Sequence, residues 1–364
     1  MIDIIAGARP NFMKIAPVIR AIERRGTAGS APAYRLVHTG QHYDPRMSGS
    51  FFEQLGIPAP AVNLHVGSGS AAEQTGAIMC RYEAVVGERR PALCMVVGDV
   101  TSTMACAITA QKQHVPVAHV EAGIRSGDWT MPEEINRLVT DAITNYFFTT
   151  SERANANLRA AGVADERIFF VGNTMIDTLL ANLDRLQPPP FWNDWGLRER
   201  SYLVLTLHRP SNVDDPEKLS AILQKLGAIA PDVPVVFPVH PRTAKVMASL
   251  NGVPPTIQGC EPQPYLEFNF LVRHALGVIT DSGGITEETT VMGIPCMTLR
   301  DTTERPETVE IGTNELLGSD PAALGPALER LLAGRWKRGS IPPLWDGRTG
   351  ERIVDELERL GVLR

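Results

Sequence analysis

Cys94-Met95-Val96-Val97-Gly98, then 102–113, then Val115-Pro116-Val117-Ala118-His119-Val120 read in order as strand, helix and strand. The two outer runs are apolar without alternation, the mark of strands covered on both faces. The segment between them keeps its apolar positions at a period near 3.6. Two such strands joined by a helix make a parallel pair, because a parallel connection needs a crossover of this length.

The same order repeats outward. Short apolar runs occupy 2–6, 36–39, 168–172, 202–207, 233–239, 277–280 and 295–299, with helical stretches such as 12–23 between several of them. The class is α/β, with parallel sheets. At 186–195, Pro188-Pro189-Pro190 breaks any helix and suits a boundary or an exposed loop. A fresh strand series opens at Tyr202. We read two Rossmann-like domains, one at 1–172 and one at 173–348. An amphipathic segment follows, with Ile353, Leu357, Leu360 and Val362 on its apolar side, and predicts a C-terminal helix. Its periodicity does not say which half it covers.

The 364 residues fit two to three domains. With 43% hydrophobic and 21% charged residues, disordered, collagenous and coiled-coil chains are excluded. A net charge of −6 excludes a whole-protein basic field for nucleic acid, while a local basic pocket stays open. No apolar run approaches the ~18–20 residues of a membrane span. The opening Ile2-Asp3-Ile4-Ile5 reads as a strand and not as a basic, apolar leader. The five cysteines are odd in number and widely spaced, without a CxxC pair, so neither a disulfide framework nor a zinc site is expected. Cys94 and Cys296 read as buried thiols, and a reducing cytoplasm is the expected location.

Ligands of open parallel sheets bind beyond the carboxyl ends of the strands, so polar residues just after strand runs are the candidates. After the first run, Gly7-Ala8-Arg9-Pro10-Asn11-Phe12-Met13-Lys14 places Arg9 and Lys14 around a helix start, where an anion is favoured; a plain βα turn with solvated cations is the alternative. The stretch has neither a Walker loop nor GxGxxG, so a nicotinamide fingerprint is not supported. Asp99 follows a strand and precedes a helix, which suits chemistry or simple capping. Glu121 ends the next strand, and Pro132-Glu133-Glu134 opens a helix. Convergent carboxylates suit proton removal and return, since repulsion and burial raise the pKa of one of them. His208 and Arg209 follow the first strand of the second half, and His240-Pro241-Arg242 repeats that placement. The sharpest element is Thr280-Asp281-Ser282-Gly283-Gly284-Ile285-Thr286-Glu287-Glu288. Its glycines allow close backbone approach, its N–H groups suit a diphosphate, and a carboxylate one turn on suits the hydroxyls of a ribose. A tight turn without a ligand is the alternative.

In combination GARPNFMK, TGQHYD, GDVTSTMA, HVEAGIRS, MPEEINR, GNTMID, HRPSN, HPRT, DSGGITEE and RDTTERPE resemble the non-hydrolysing UDP-N-acetylglucosamine 2-epimerases, over nearly the whole chain. The resemblance implies a GT-B architecture of two Rossmann-like domains, an active site in the cleft between them, and a C-terminal helix at 349–364 that returns to the first domain. It implies removal of the C2 proton, anti elimination of UDP to 2-acetamidoglucal, and re-addition on the opposite face. Neither nicotinamide nor metal enters that cycle. By the same resemblance Asp99, Glu121 and Glu133 match the acid/base carboxylates and His208 a histidine near the diphosphate. Ser282, Gly283 and Gly284 match the phosphate turn, Glu288 the ribose carboxylate, Arg9, Lys14 and Arg305 the cations, and Gln263 and Phe268 the uracil contacts. The implied partner is a UDP-sugar, without nucleic acid or membrane, and the implied state is a homodimer. The chain departs from the common pattern at Asn11, at Pro210-Ser211-Asn212 and at Tyr43, where many members build a second, allosteric sugar-nucleotide site to which Gln41 and His42 still correspond. A similar branch epimerises UDP-2,3-diacetamido-2,3-dideoxyglucuronate and shares MPEEINR and HPRT; Arg305-Pro306 favours the N-acetylglucosamine branch.

Overall fold

The computed structural model describes residues 1–26, 33–40, 54–250 and 252–363, with Arg9 described by its backbone alone. The chain divides into two compact units, Met1–Ala181 with Pro343–Arg364, and Asn182–Pro342. Each is a parallel α/β layer structure of Rossmann type.

The first unit is built on β1 (Ile2–Ala6), β2 (Tyr34–His38), β3 (Val62–Asn63), β4 (Cys94–Val97), β5 (Val117–Val120), β6 (Tyr146–Thr149) and β7 (Ile168–Phe170). Their order across the sheet is β3-β2-β1-β4-β5-β6-β7, all parallel. All of β1 is buried, Asp3 included. That carboxylate is tolerated because Arg35 donates to both of its oxygens at 2.8 Å and the Tyr82 hydroxyl donates at 2.9 Å. The strand order reverses between β1 and β4, which is where an open α/β sheet leaves room for a ligand.

The second unit contains β8 (Leu203–Thr206), β9 (Val235–Pro238), β10 (Ile257–Cys260), β11 (Gly277–Thr280), β12 (Cys296–Thr298) and β13 (Asn314–Leu316), in the order β10-β9-β8-β11-β12-β13. Both faces are sealed. Leu203, Leu205, Ile279 and Met297 pack under the helices Pro216–Ile229 and Leu324–Leu332, while Val204, Val236, Val278 and Cys296 pack on the opposite side with Leu271 and Val272. The order reverses here between β8 and β11.

Residues 173–181 and 343–348, which the sequence assigned to the second half, group with the first unit. The helix Thr174–Asn182 is tied there: the Thr178 hydroxyl donates to the Met13 carbonyl at 2.5 Å, and Asp177 accepts from the Gly350 N–H at 2.7 Å. The buried Trp345 donates its indole N–H to the Thr150 carbonyl at 3.1 Å. The C-terminal helix Thr349–Arg359 lies on the helix Arg9–Arg25, burying Ile353, Val354 and Leu357 and pairing Asp355 and Glu358 with Arg25. Gly350 permits this approach, since a Cβ there would stand 2.5 Å from the Pro17 carbonyl oxygen. The stretch at 186–195 is not a free linker. Phe191, Trp192 and Trp195 pack on the Tyr202 side of the second core, with Phe191 and Trp195 stacked at 4.1 Å. The prolines end the preceding helix, and the aromatics then anchor the segment. All five cysteines are free, and among the described residues no helix is long and apolar enough to cross a membrane.

Candidate active site

Three strand ends converge in the first unit. The turn after β1 is held by Asn11, whose side-chain oxygen accepts from the Gly7 and Ala8 N–H groups at 3.1 and 3.0 Å. Its amide donates to the Val97 carbonyl at the end of β4 at 2.9 Å. One turn along the same helix, the buried Lys14 donates to Glu121 Oε2 at 2.5 Å. Glu121 follows β5 with φ +68, a left-handed conformation that costs a non-glycine residue about 1–3 kcal/mol and is typical of functional sites. Between them lies Gly98, where a Cβ would stand 3.0 Å from Lys14 Nζ and 3.8 Å from Glu121 Oε2.

Asp99 comes next, and it does not cap. The helix Thr101–Lys112 starts from Val100 without a side-chain cap. Asp99 Oδ2 instead accepts from Arg137 at 2.6 and 3.1 Å, and the Asp99 carbonyl accepts from the Asn136 amide at 2.8 Å. Arg137 also grips Glu134 at 2.6 Å. The helix Pro132–Ala142 therefore divides its glutamate pair. Glu134 is buried and accepts from the Ser126 and Gly127 N–H groups at 3.0 and 3.1 Å. Burial opposes its ionisation, yet these donors and Arg137 hold its carboxyl below the usual range. Glu133 is exposed beside it. Sequence reasoning gave Arg137 and Glu134 no role. Their signal was the i, i+3 spacing that sets a carboxylate and a guanidinium on one helix face.

In the second unit Asp281, at the end of β11, organises the turn after β8. It accepts from His208 Nδ1 at 2.8 Å, from the His208 and Arg209 backbone N–H groups at 3.0 and 2.9 Å, and from Asn212 at 3.2 Å. Burial pushes against the charge, but His208, Arg209 and Asn212 hold the Asp281 carboxyl low. The same network assigns Nδ1–H of His208 to Asp281, and the side chain is half exposed. His240 caps the helix Pro241–Met247 by accepting from the Arg242 N–H at 3.2 Å. Burial, His208 and Arg242 lower its pKa, so cationic groups gather at the ends of β8 and β9.

Ser282, Gly283 and Gly284 follow β11 as foreseen and open the helix Gly283–Met292. Ser282 makes no capping side-chain bond, and the helix's own first turn holds no acid. Gly283 lies under the 300–305 loop, where a Cβ would meet Glu304 Oε1 at 2.7 Å. One turn on, Glu288 is buried and receives the Tyr265 hydroxyl at 3.0 Å. Burial pushes its pKa up to about 7, with the Glu287 charge adding and Tyr265 and Asn269 opposing. Arg305 is buried against Glu287, its Nε donating at 2.5 Å. Gln263 and Phe268 flank Tyr265. Gln263 donates to the Glu261 carbonyl at 2.7 Å, and Phe268 packs half-buried on the core. The Arg9 side chain and Gln41, His42 and Tyr43 lie outside the described residues. The first unit thus brings Glu121 onto Lys14 and both Asp99 and Glu134 onto Arg137, with Glu133 exposed next to Glu134. The second holds the uncapped start of the helix Gly283–Met292, with His208 on the neighbouring Asp281.

The family described as UDP-N-acetylglucosamine 2-epimerase matches residues 27–358. The UDP-N-acetylglucosamine 2-epimerase of Methanocaldococcus jannaschii is 41% identical over 97% of both chains. A crystal structure of the Methanocaldococcus jannaschii UDP-GlcNAc 2-epimerase in complex with UDP-GlcNAc and UDP superposes with a TM-score of 0.88, covering 98% of this chain and 99% of that one at 41% identity. The UDP-2,3-diacetamido-2,3-dideoxy-D-glucuronate 2-epimerase of Pseudomonas aeruginosa is 41% identical over 86% of this chain and 87% of its own. The α/β units are those of the GT-B-like epimerases, and the chain belongs to the UDP-N-acetylglucosamine 2-epimerase family.

Proposed function

We propose that the protein interconverts UDP-N-acetylglucosamine and UDP-N-acetylmannosamine. The observation that carries this reading is the pair of carboxylates Asp99 and Glu121 at the ends of β4 and β5 in one unit, together in the chain with the Ser282-Gly283-Gly284 helix start and the buried Glu288 of the other. A carboxylate among Asp99, Glu121 and Glu133 takes the C2 proton. The C1–O bond breaks, its electron pair leaves on the β-phosphate oxygen of UDP, and 2-acetamidoglucal forms. UDP then adds back at C1 while a second carboxylate returns a proton to the opposite face of C2. The departing UDP gains negative charge, which the N–H groups at Ser282–Gly284 and His208 stabilise from fixed positions. The C2 proton is weakly acidic, so a positioned base shielded from water is needed to remove it. Gln263 and Phe268 take the uracil and Glu288 the ribose. Lys14 orients Glu121, and Arg9 and Arg305 add positive charge. Every step of this cycle is a proton transfer, an elimination or an addition, so the scheme calls for no hydride transfer and draws on no nicotinamide or metal. We further propose a homodimer acting in the cytoplasm, with sedimentation velocity reading the oligomeric state.

The deciding experiment is the proton NMR spectrum of UDP-N-acetylglucosamine incubated with the protein in D2O, with no cofactor added. UDP-N-acetylmannosamine should appear with deuterium at C2. Free N-acetylmannosamine plus UDP would mark a hydrolase instead, and sugar transfer to an acceptor without C2 exchange would mark a glycosyltransferase. The 41% identity to the Pseudomonas aeruginosa enzyme favours one second reading, epimerisation of a UDP-2,3-diacetamido-glucuronate. Turnover of that sugar nucleotide in preference to UDP-N-acetylglucosamine would establish it.

A further inference from the structure

Behind the candidate carboxylates lies a buried pair that the reaction scheme leaves unused. His119, in β5, and Asp141, in the last turn of the helix Pro132–Ala142, are both buried. Their side chains meet at 2.7 Å between Nδ1 and Oδ1. Nε2 lies 2.8 Å from the Gly98 carbonyl oxygen and donates to it, because a carbonyl only accepts. The second oxygen of Asp141 accepts from the Gly123 N–H at 3.1 Å and from Arg125 at 2.6 Å. Burial opposes the charge on Asp141, yet His119 and Arg125 hold its carboxyl below the ordinary range.

One pair therefore grips two turns. Gly98 is the residue before Asp99, and Gly123 lies two beyond Glu121. All three turn positions are left-handed, with φ +69 at Gly98, +68 at Glu121 and +78 at Gly123. Such conformations persist where the surroundings over-determine them. The turns also share a backbone bond, from the Gly98 N–H to the Val120 carbonyl at 3.0 Å. Space is tight as well, since a Cβ on Gly123 would stand 2.4 Å from the Ala154 carbonyl oxygen.

Building on the epimerase reading, we propose that Asp141 and His119 are positioning residues that fix the Gly98–Asp99 and Glu121–Gly123 turns, and with them the Asp99 and Glu121 carboxylates. Neither residue touches substrate. Their loss falls on the chemical step, where a displacement of about 1 Å costs roughly 10²-fold. It does not fall on nucleotide binding, which belongs to the second unit.

The test uses the full chain with Asp141→Ala, His119→Phe and Asp141→Asn. It compares steady-state epimerisation of UDP-N-acetylglucosamine, UDP affinity by calorimetry, and folded fraction by circular dichroism. Asp141→Ala and His119→Phe should lower kcat per folded molecule by roughly 30–100-fold, with KM and the UDP Kd within about twofold. Asp141→Asn should restore kcat to within about fivefold of wild type. Its amide oxygen still accepts from Gly123 while its NH2 donates to His119 Nδ1, which keeps Nε2–H on Gly98. Unchanged kcat in Asp141→Ala, or Asp141→Asn as slow as Asp141→Ala, overturns the proposal. So does a failure of both Asp141→Ala and His119→Phe to fold, because the pair then serves stability alone. Wild-type protein that binds UDP but turns over no UDP-N-acetylglucosamine overturns the epimerase reading itself, and this proposal with it.

Discussion

Replacing Lys14 by Met tests whether the pair with Glu121 holds the strand ends together. The two charged atoms are 2.5 Å apart, and the side chains are only 9% and 2% exposed. Methionine keeps the apolar stem and drops the ammonium, so the buried Glu121 carboxylate loses the charge of Lys14. Removing one partner of a buried ion pair costs about 3–5 kcal/mol. In a unit of about 200 residues each kcal/mol lowers Tm by roughly 2–4 °C, giving a shift of roughly 6–20 °C. A whole-chain melt mixes two units and is not two-state. Native-state hydrogen exchange, read by mass spectrometry on peptides covering β1 and β5, isolates the first unit. Adding Glu121→Gln to Lys14→Met removes the carboxylate charge and should recover about 1–3 kcal/mol of that loss. Unchanged exchange in β1 and β5 of Lys14→Met, or a double variant no better protected than the single one, would refute the reasoning.

Glu121→Gln and Asp99→Asn should each lower turnover by roughly 10²–10⁴-fold and slow deuterium entry at C2 in step, with circular dichroism unchanged. Wild-type rates in either would remove that residue from the mechanism. Gly284→Val adds a branched side chain in the first turn of the helix Gly283–Met292, and isothermal titration should show UDP binding abolished while the fold survives. Glu288 titrates at about 7 in the folded chain against 4.5 for the free group, so the folded state binds the extra proton between these values and loses stability as pH rises through them. Glu288→Gln should therefore stabilise the second unit by about 1–3 kcal/mol at pH 8 and leave it unchanged at pH 4. Equal denaturation midpoints for variant and wild type at pH 8 would contradict this.

Much of this was legible because parallel strands announce themselves. The apolar runs at 94–98, 115–120, 202–207 and 277–280 correspond to β4, β5, β8 and β11, and Asp99, Glu121, His208 and the Ser282 turn stand just after them, whereas Glu133 sits in the first turn of the helix Pro132–Ala142. Four strands escaped notice: β6 (Tyr146–Thr149) is apolar but only four residues long, and the other three break the apolar signal. Asn314 and Glu315 make β13 polar at a sheet edge, β10 carries Gln258 and Gly259, and β3 spans only Val62–Asn63. Long-range partners were equally hidden. Nothing local to Asp99 announces Arg137, and nothing local to His208 announces Asp281, because strand order decides which turns become neighbours. The placement of 173–181 was missed for the same reason: Asp177 finds its partner at Gly350, at the far end of the chain.

The return of Thr349–Arg359 to the first unit has a consequence for biosynthesis. The ribosome completes Met1–Ala181 first, yet the helix that covers Arg9–Arg25 emerges only after the whole of Asn182–Pro342. At about 5–20 residues per second that interval is on the order of 10–30 s. During it the face around Pro17 is bare and available to chaperones or to neighbouring nascent chains. Chains stalled near residue 342 should be cut by protease within Arg9–Arg25 faster than released chains, and equal cutting would show that the helix docks without its late partner. A two-unit chain of this design finishes its first half last.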